Sequence, residues 1–278
     1  MKAHLSVLIL TLNEQVNLPR CLASLEWCDD IVVLDSGSQD NTCEIASKVG
    51  ARVIERPFDN YAAQRNFGLK AIQYKHPWVL MVDADEEVTP SLAKEMVSLT
   101  YSCDTDTTLF RMRRKDYLFG KWIRRSSGYP TWFGRLVRPE CMHVEREINE
   151  EFVTNGTIVL LEKHLNHYPF DKGFTAWFEK HNRYSTMEAT LIMEDGLCAV
   201  RFADLMSKDP AIRRKNIKSL VYRLPFRPLL MFLALYLLRG GLLEGRAGFV
   251  FCMLRAFYEF MINCKVCEMK LRVKGGPL

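Results

Sequence analysis

A chain of 278 residues with 48% hydrophobic and 26% charged residues has ordinary globular make-up, long enough for one α/β domain with an appendage. No Gly/Ser linker, low-complexity tract or internal repeat interrupts it, which excludes a disordered or solenoid chain. The net charge of +5 is unevenly placed: residues 201–278 hold 15 Lys/Arg against 5 Asp/Glu, leaving −5 for residues 1–200. A basic, apolar tail on an acidic body suits an anionic partner, and its long apolar runs fit a membrane surface and no nucleic acid. The nine cysteines are odd in number and irregularly spaced, so a reduced, cytosolic setting is expected. The single C-x-x-C, Cys264 and Cys267, lacks the two further ligands a zinc site needs.

In chain order, Leu5–Leu12 is continuously apolar and β-branched, as in a strand buried on both faces of a parallel sheet. Residues 17–27 then place Leu18, Leu22 and Leu25 at helical spacing. A second strand at Ile31–Asp35 runs into a polar turn at Ser36–Asn41 and a helix that stops at Gly50; a third strand spans 51–57. Residues 61–73 read as a helix and 78–87 as a strand ending in acids. This alternation predicts a doubly wound, mostly parallel sheet, whose ligands bind beyond the carboxyl ends of the strands. Those ends carry Asn13–Glu14, Asp35–Asp40 and Asp83–Asp85, which parallel topology would gather along one crevice. After Pro90 come a helix at 91–99, strands at Thr108–Arg113, Gly134–Arg138 and Thr157–Leu161, and an amphipathic helix at 174–195. The apolar tail runs from 220 to 264.

The sharpest chemical feature is VDADEE at Val82–Glu87. Two carboxylates two apart at a strand end, Asp83 and Asp85, suit Mg²⁺ or Mn²⁺, which need few protein ligands when a diphosphate supplies the rest. A departing nucleoside diphosphate needs that neutralisation. Asp35 and Asp40 frame LDSGSQDNT, where an Asp can accept from a base imide or ribose hydroxyl and Gly37 admits close approach. Asp40 or Asn41 equally suits capping of the following helix.

Taken together, TLNE at Thr11–Glu14, VVLDSGSQDNT at Val32–Thr42, AAQRNFGL at Ala62–Leu69 and VDADE at Val82–Glu86 resemble family 2 of the nucleotide-sugar glycosyltransferases, which have the GT-A fold. Further segments resemble the bacterial glucosyltransferases of the lipopolysaccharide core: Tyr117–Pro139, INEEF at Ile148–Phe152, LNHYPF at Leu165–Phe170, Phe178–Ala189 and Gly241–Phe249. The resemblance implies a GT-A catalytic domain over 1–200, its nucleotide half 1–100 and acceptor half 101–200, followed by a helical membrane-associating region at 201–278. It implies that Thr11, Asn13, Glu14, Asp35, Gly37, Asp40, Arg65, Asn66, Asp83 and Ala84 serve the nucleotide sugar and that Asp85 holds the metal and diphosphate. Arg65 equally reads as a helix-surface residue, and His167 as a metal ligand or as a core histidine.

Single-displacement inversion needs a carboxylate opposite the leaving diphosphate to take the acceptor proton. Glu150 is the candidate, although the related group carries a His-Glu pair where this chain has Asn149–Glu150. Glu151 is adjacent, and Glu145 and Glu147 lie just upstream. Trp132 and Arg135 read as acceptor-side residues, an aromatic there being also a core candidate.

The expected function is inverting transfer of a hexose, glucose from UDP-glucose, to a lipid-linked or lipopolysaccharide core acceptor at the cytoplasmic face of the inner membrane. A non-catalytic nucleotide-binding scaffold and a nucleotidyltransferase are the alternatives. The intact acids speak against the first, and TLNEQVNLP lacks the Gly-rich basic loop of the second. Leu229–Leu238 and Phe249–Cys264, ten and sixteen residues, fall short of the roughly 20 needed to span a bilayer, so helices lying in the interface are expected. A buried helical pair is the other reading.

Overall fold

The computed structural model describes residues 4–145, 151–194, 224, 226–273 and 275. They fall into two compact units, one of residues 1–124 with 128–173 and one of residues 125–127 with 174–278. The expected boundary at 200 lies outside the described residues, as do Glu147 and Glu150 and the basic residues Arg213, Arg214, Lys215, Lys218 and Arg223.

The first unit is built on one mixed sheet. Its first half is β1 (Leu5–Thr11), α1 (Leu18–Ala23), β2 (Ile31–Asp35), α2 (Thr42–Lys48), β3 (Arg52–Glu55), α3 (Tyr61–Ala71) and β4 (Trp78–Asp83). The strands of this half are all parallel. Both faces of β1 are covered, which is why it reads as an unbroken apolar run. Leu5, Val7 and Ile9 pack with Leu18 and Leu22 of α1, while Leu8 packs with Val32, Leu34 and Leu69 of α3. Gly68 makes the second contact possible: a Cβ there would stand 2.4 Å from a methyl carbon of Leu8. Asn60 caps α3 by accepting from the Ala63 amide.

The second half departs from expectation where strands prove longer or broken. The strand expected over 78–87 breaks at Ala84–Asp85, so that β5 (Glu86–Val88) leaves β4 and pairs antiparallel with β11 (Thr157–His167). The turn is closed by the Glu86 carboxylate accepting from the Asp83 amide at 3.1 Å and by the Asp85 carbonyl accepting from the Tyr168 amide at 2.9 Å. After α4 (Pro90–Ser102), β6 runs over Thr107–Leu118 and β11 continues to His167, both longer than their apolar patterns. Each carries charged residues in its second half, which hides the strand from a hydrophobicity reading. Short β7 (Lys121–Trp122), β8 (Trp132–Val137), β9 (His143–Glu145) and β10 (Glu151–Val153) complete the unit.

Antiparallel β8 sits between β4 and β6, and β6 is parallel to β11. β4, β6 and β11 therefore point the same way, and Asp83, Asp116 and His167 share the carboxyl edge with Thr11 and Asp35.

In the second unit α5 (Gly173–Glu194) covers the expected amphipathic helix. The tail forms α6 (Arg227–Leu233), a π turn at Ala234–Leu238, a 3₁₀ turn at Gly241–Glu244 and α7 (Gly245–Val273). α7 thus extends well beyond the sixteen apolar residues seen in sequence. The stretch Gly241–Val273 has the length and composition to cross a membrane, with 33% of its most apolar window buried inside the protein. A buried ion pair joins the two helices, Arg227 Nη2 lying 2.5 Å from Glu259 Oε2.

Candidate active site

The first side of the crevice is two loops knitted together. Thr11 and Asp35 are register partners at the ends of β1 and β2, and the Thr11 hydroxyl donates to Asp35 at 2.7 Å. Asp35 also accepts from the amides of Gly37 and Ser38 at 2.9 and 2.7 Å and from the Ser38 hydroxyl at 2.6 Å. Burial alone would raise its pKa, but these donors hold it below the usual carboxylate value. Gly37 has φ +91°, a conformation that glycine adopts without strain. Asn13, at φ +53°, reaches across: its side-chain oxygen accepts from the Gln39 amide at 2.7 Å and its own amide donates to the Ser38 hydroxyl at 2.8 Å.

Asp40 belongs to the same lacing. Its carboxylate accepts from the amides of Gln15 at 3.2 Å and Thr42 at 3.0 Å, so it both joins the loops and ties the start of α2, while Asn41 makes no side-chain cap. Glu14 accepts from Asn17 Nδ2 and Lys172 Nζ, each at 2.9 Å. Burial nevertheless raises its pKa, an effect that these two partners oppose.

The second side is an ionic platform. Arg65 of α3 is 4% exposed and places Nη2 2.9 Å from Asp83 Oδ1, which overturns the helix-surface reading. Arg135, expected on the acceptor side, is also 4% exposed, with Nη2 2.5 Å from Asp83 Oδ2 and 2.7 Å from Glu86 Oε1. Its place on β8, between β4 and β6, turns the guanidinium into the protein. Both carboxylate oxygens of Asp83 thereby meet an arginine. Burial would raise the Asp83 pKa, but Arg135 and Arg65 hold it far below the ordinary range. Glu86 is fully buried and also faces Arg114 of β6 at 3.5 Å. Asn66 uses both ends of its amide on the Val144 backbone, donating and accepting at 2.8 Å, and so anchors β9 to α3.

Between the two sides lies the turn that carries Asp85, with Ala84 buried behind it. His167 Nε2 stands 3.3 Å from Asp85 Oδ2, and its Nδ1 stands 2.7 Å from Asp116 Oδ1. Burial and Arg114 disfavour a charged His167, but Asp85 and Asp116 outweigh them and raise its pKa. Asp116 is lowered because its hydrogen bond to His167 and the charge of Arg114, 3.2 Å away, overcome burial. Glu86, Arg114 and Asp116 were not singled out in the sequence. Glu86 stood in the VDADEE run, and the signal for Asp116 was one acid in the basic run RMRRKD within a strand.

Trp132 is half-buried, with the Arg113 guanidinium 5.2 Å from its ring centre. Glu151 opens β10 opposite Glu145, and Glu150 immediately precedes it outside the described residues. A surface cavity of about 510 Å³ lined by Lys70, Thr108 and Met142 involves the opposite end of β6 from Asp116 and none of these groups.

The family model for glycosyl transferase family 2 matches residues 6–166, more than half of the chain. The chain belongs to this family. It is a glycosyltransferase, and its sheet is mostly parallel. It is 29% identical to the lipopolysaccharide core biosynthesis glycosyltransferase LpsC of Rhizobium meliloti, over 96% of this chain and 93% of that protein. An uncharacterized glycosyltransferase of Rickettsia felis is 26% identical over 98% of this chain and 92% of its own. Among solved structures, a glucosyl-3-phosphoglycerate synthase from Mycobacterium tuberculosis aligns over 50% of this chain and 58% of that one, at 20% identity and a TM-score of 0.37.

The donor set of this glycosyltransferase fits a divalent cation. Two ligands in adjacent octahedral positions, each about 2.1 Å from a small hard ion, stand about 3 Å apart, close to the Asp85–His167 separation. With a cation bound, Asp116 accepting from Nδ1–H would orient the ring and leave the Nε2 lone pair to the ion. Among the described residues no three His, Cys, Asp or Glu converge as a complete cage. With two donors from the described residues, such an ion would leave positions open to substrate or water, the habit of Mg²⁺ and Mn²⁺ in diphosphate sites.

Proposed function

We propose that this glycosyltransferase moves a hexose, glucose from UDP-glucose, onto a lipid-linked glycan of the lipopolysaccharide core in one inverting displacement. The observation that carries the reading is the meeting of Asp85, His167 and Asp116 at the strand edge where the family motifs end. The near full-length similarity to LpsC supports the acceptor class.

Thr11, Asn13, Gly37, Asp35 and Asp40 form the nucleoside side, a rigid frame of loops in which base and ribose replace water as bonding partners. Glu14 borders it. Asp83, fixed by Arg65 and Arg135, sets the position of the following turn and lies beside the ribose. Asp85 and His167 would hold Mg²⁺ or Mn²⁺, which neutralises the charge that gathers on the departing diphosphate. Glu150, with Glu151 as the neighbouring candidate, takes the proton of the acceptor hydroxyl. Asn66 supports this role because it anchors β9, the strand paired with β10, which Glu150 directly precedes.

The same reading lays the second unit on the cytoplasmic face of the inner membrane. Its tail exposes large apolar side chains, among them Phe226, Leu238 and Leu243 at 78%, 86% and 67%. Exposed apolar groups on a basic segment suit the boundary between headgroups and acyl chains.

The test is nucleoside diphosphate release from a panel of nucleotide sugars with core acceptor supplied, with Mg²⁺ or Mn²⁺ and with EDTA. Release from UDP-glucose that EDTA and Asp85→Ala abolish is expected, with Glu150→Gln keeping UDP binding but losing turnover. Release from no donor in the presence of acceptor would sink the reading.

A further inference from the structure

β6 has a second chemistry on its other face. Residues alternate along a strand, so Arg114 and Asp116 turn to Glu86 and His167 while Arg113 and Lys115 turn the opposite way. There they meet rings of β7, β8 and the connection between them. The Arg113 guanidinium lies 5.2 Å from the Trp132 ring centre and 5.9 Å from that of Tyr129. Lys115 Nζ lies 4.2 Å from the Trp122 ring, with Arg124 5.6 Å from the same ring.

Three features separate this cluster from a solvated basic face. First, among the described residues Arg113, Lys115 and Arg124 pair with no carboxylate, whereas Arg114 between them faces both Glu86 and Asp116. Second, Arg113 Nε and the Trp122 indole nitrogen are buried donors without an acceptor among the described residues, an arrangement that native proteins avoid unless something completes it. Third, a cation–π contact engages a guanidinium through its charge and leaves hydrogen-bonding capacity unused. The terminal N–H groups of the guanidinium are the donors available to an oxyanion, and the rings restrict where they point. The crowding is felt electrostatically: after burial, Arg113 and Arg124 push the Lys115 pKa down, and Lys115 and Arg113 do the same to His164.

We infer that Arg113, Lys115 and Arg124, framed by Trp122, Tyr129 and Trp132, bind an oxyanion, a phosphate or carboxylate, carried by a sugar of the acceptor glycan. The site shares the carboxyl edge of the sheet with Asp85 and lies on the opposite face of β6 from Asp116, so it anchors a part of an extended acceptor away from the reacting hydroxyl. The identity of the ligand as an acceptor rests on the glycosyltransferase reading above; the anion site itself does not.

The test is equilibrium titration of the full-length protein by tryptophan fluorescence at fixed ionic strength, with glucose 6-phosphate, glucuronate, glucose and UDP as separate ligands. At least one of the two charged sugars should saturate and glucose should not. Arg113→Gln and Arg124→Gln should each weaken the charged sugar about tenfold, or about 1.4 kcal/mol, with UDP affinity unchanged. Arg124 is exposed, so its variant keeps the test valid if Arg113→Gln folds poorly. Unchanged binding in both variants, equal binding of glucose, or displacement of the charged sugar by UDP would each overturn the proposal. So would loss of binding to phosphatidylglycerol vesicles with sugar binding intact, which would assign the cations to lipid. A wild type that binds no UDP yet shows the expected loss of charged sugar in both variants keeps the anion site and overturns the UDP-sugar donor of the proposed function.

Discussion

On the β1/β2 side of the crevice the acids serve their own loops: Asp35 and Asp40 accept from amides and hydroxyls within a few residues or from the adjoining loop. On the β4/β6/β11 side the acids are bound to cations from distant segments, Asp83 to Arg65 and Arg135, Glu86 to Arg114 and Arg135. The first arrangement shapes backbone and is tolerant of losing one bond. The second balances buried charge, and losing one carboxylate removes a counter-charge from arginines held in the interior. Asp85 stands apart from both: its neighbour is His167, and its proposed purpose is chemistry and not support.

The largest effect on activity should come from the proposed metal ligand, Asp85. Asp85→Ala should lower nucleoside diphosphate release on the order of 10³-fold or more while thermal unfolding stays nearly unchanged. A large fall in Tm with activity retained would erase the distinction from Asp83. Asp83→Asn should instead destabilise by about 3 kcal/mol, because two nearly buried guanidinium groups lose their shared counter-charge; denaturant unfolding measures it, and a change under about 1 kcal/mol would show that the platform relaxes.

Asp35→Asn should cost about 1–3 kcal/mol through donors left without an acceptor. Its folded pKa is depressed, so its contribution is present above the ordinary carboxylate value and lost as pH falls through the lower folded value. The variant should therefore show a flatter acid limb in a Tm–pH profile, and an unchanged limb would remove Asp35 from the frame. Glu14 has the opposite sign: its folded pKa is raised, so its contribution is present below the unfolded value and lost as pH rises through the folded one. Glu14→Gln should change stability at neutral pH by no more than about 0.5 kcal/mol and weaken UDP binding. Unchanged UDP affinity would leave Glu14 a loop residue only.

How far the sequence could be read followed how local the cause was. The β1–β4 half was legible because strands buried on both faces leave unbroken apolar runs and the loop acids follow them directly. β6 and β11 were cut short because their outer halves carry charge, Arg113 to Asp116 and Glu162 to His164, where periodicity gives no strand signal. The ion pairs of Arg135 were hidden for a related reason: an arginine two residues after Phe133 gives no hint that β8 runs between β4 and β6. α7 was underestimated because polar residues such as Arg246, Lys265 and Glu268 flank the apolar run, whereas the helix continues through them; Glu259 within the run pairs with Arg227.

By itself the sequence determined the alternation of strand and helix, the acids at the strand ends and the family, since each depends on short-range pattern and spacing. Only the tertiary structure decided what each acid faces. The break after Asp83, the antiparallel insertion of β8 and the extension of β11 bring Asp85, Asp116 and His167 together from segments dozens of residues apart. Which charges meet across a sheet is set by strand order and register, and no periodicity within a single strand records it.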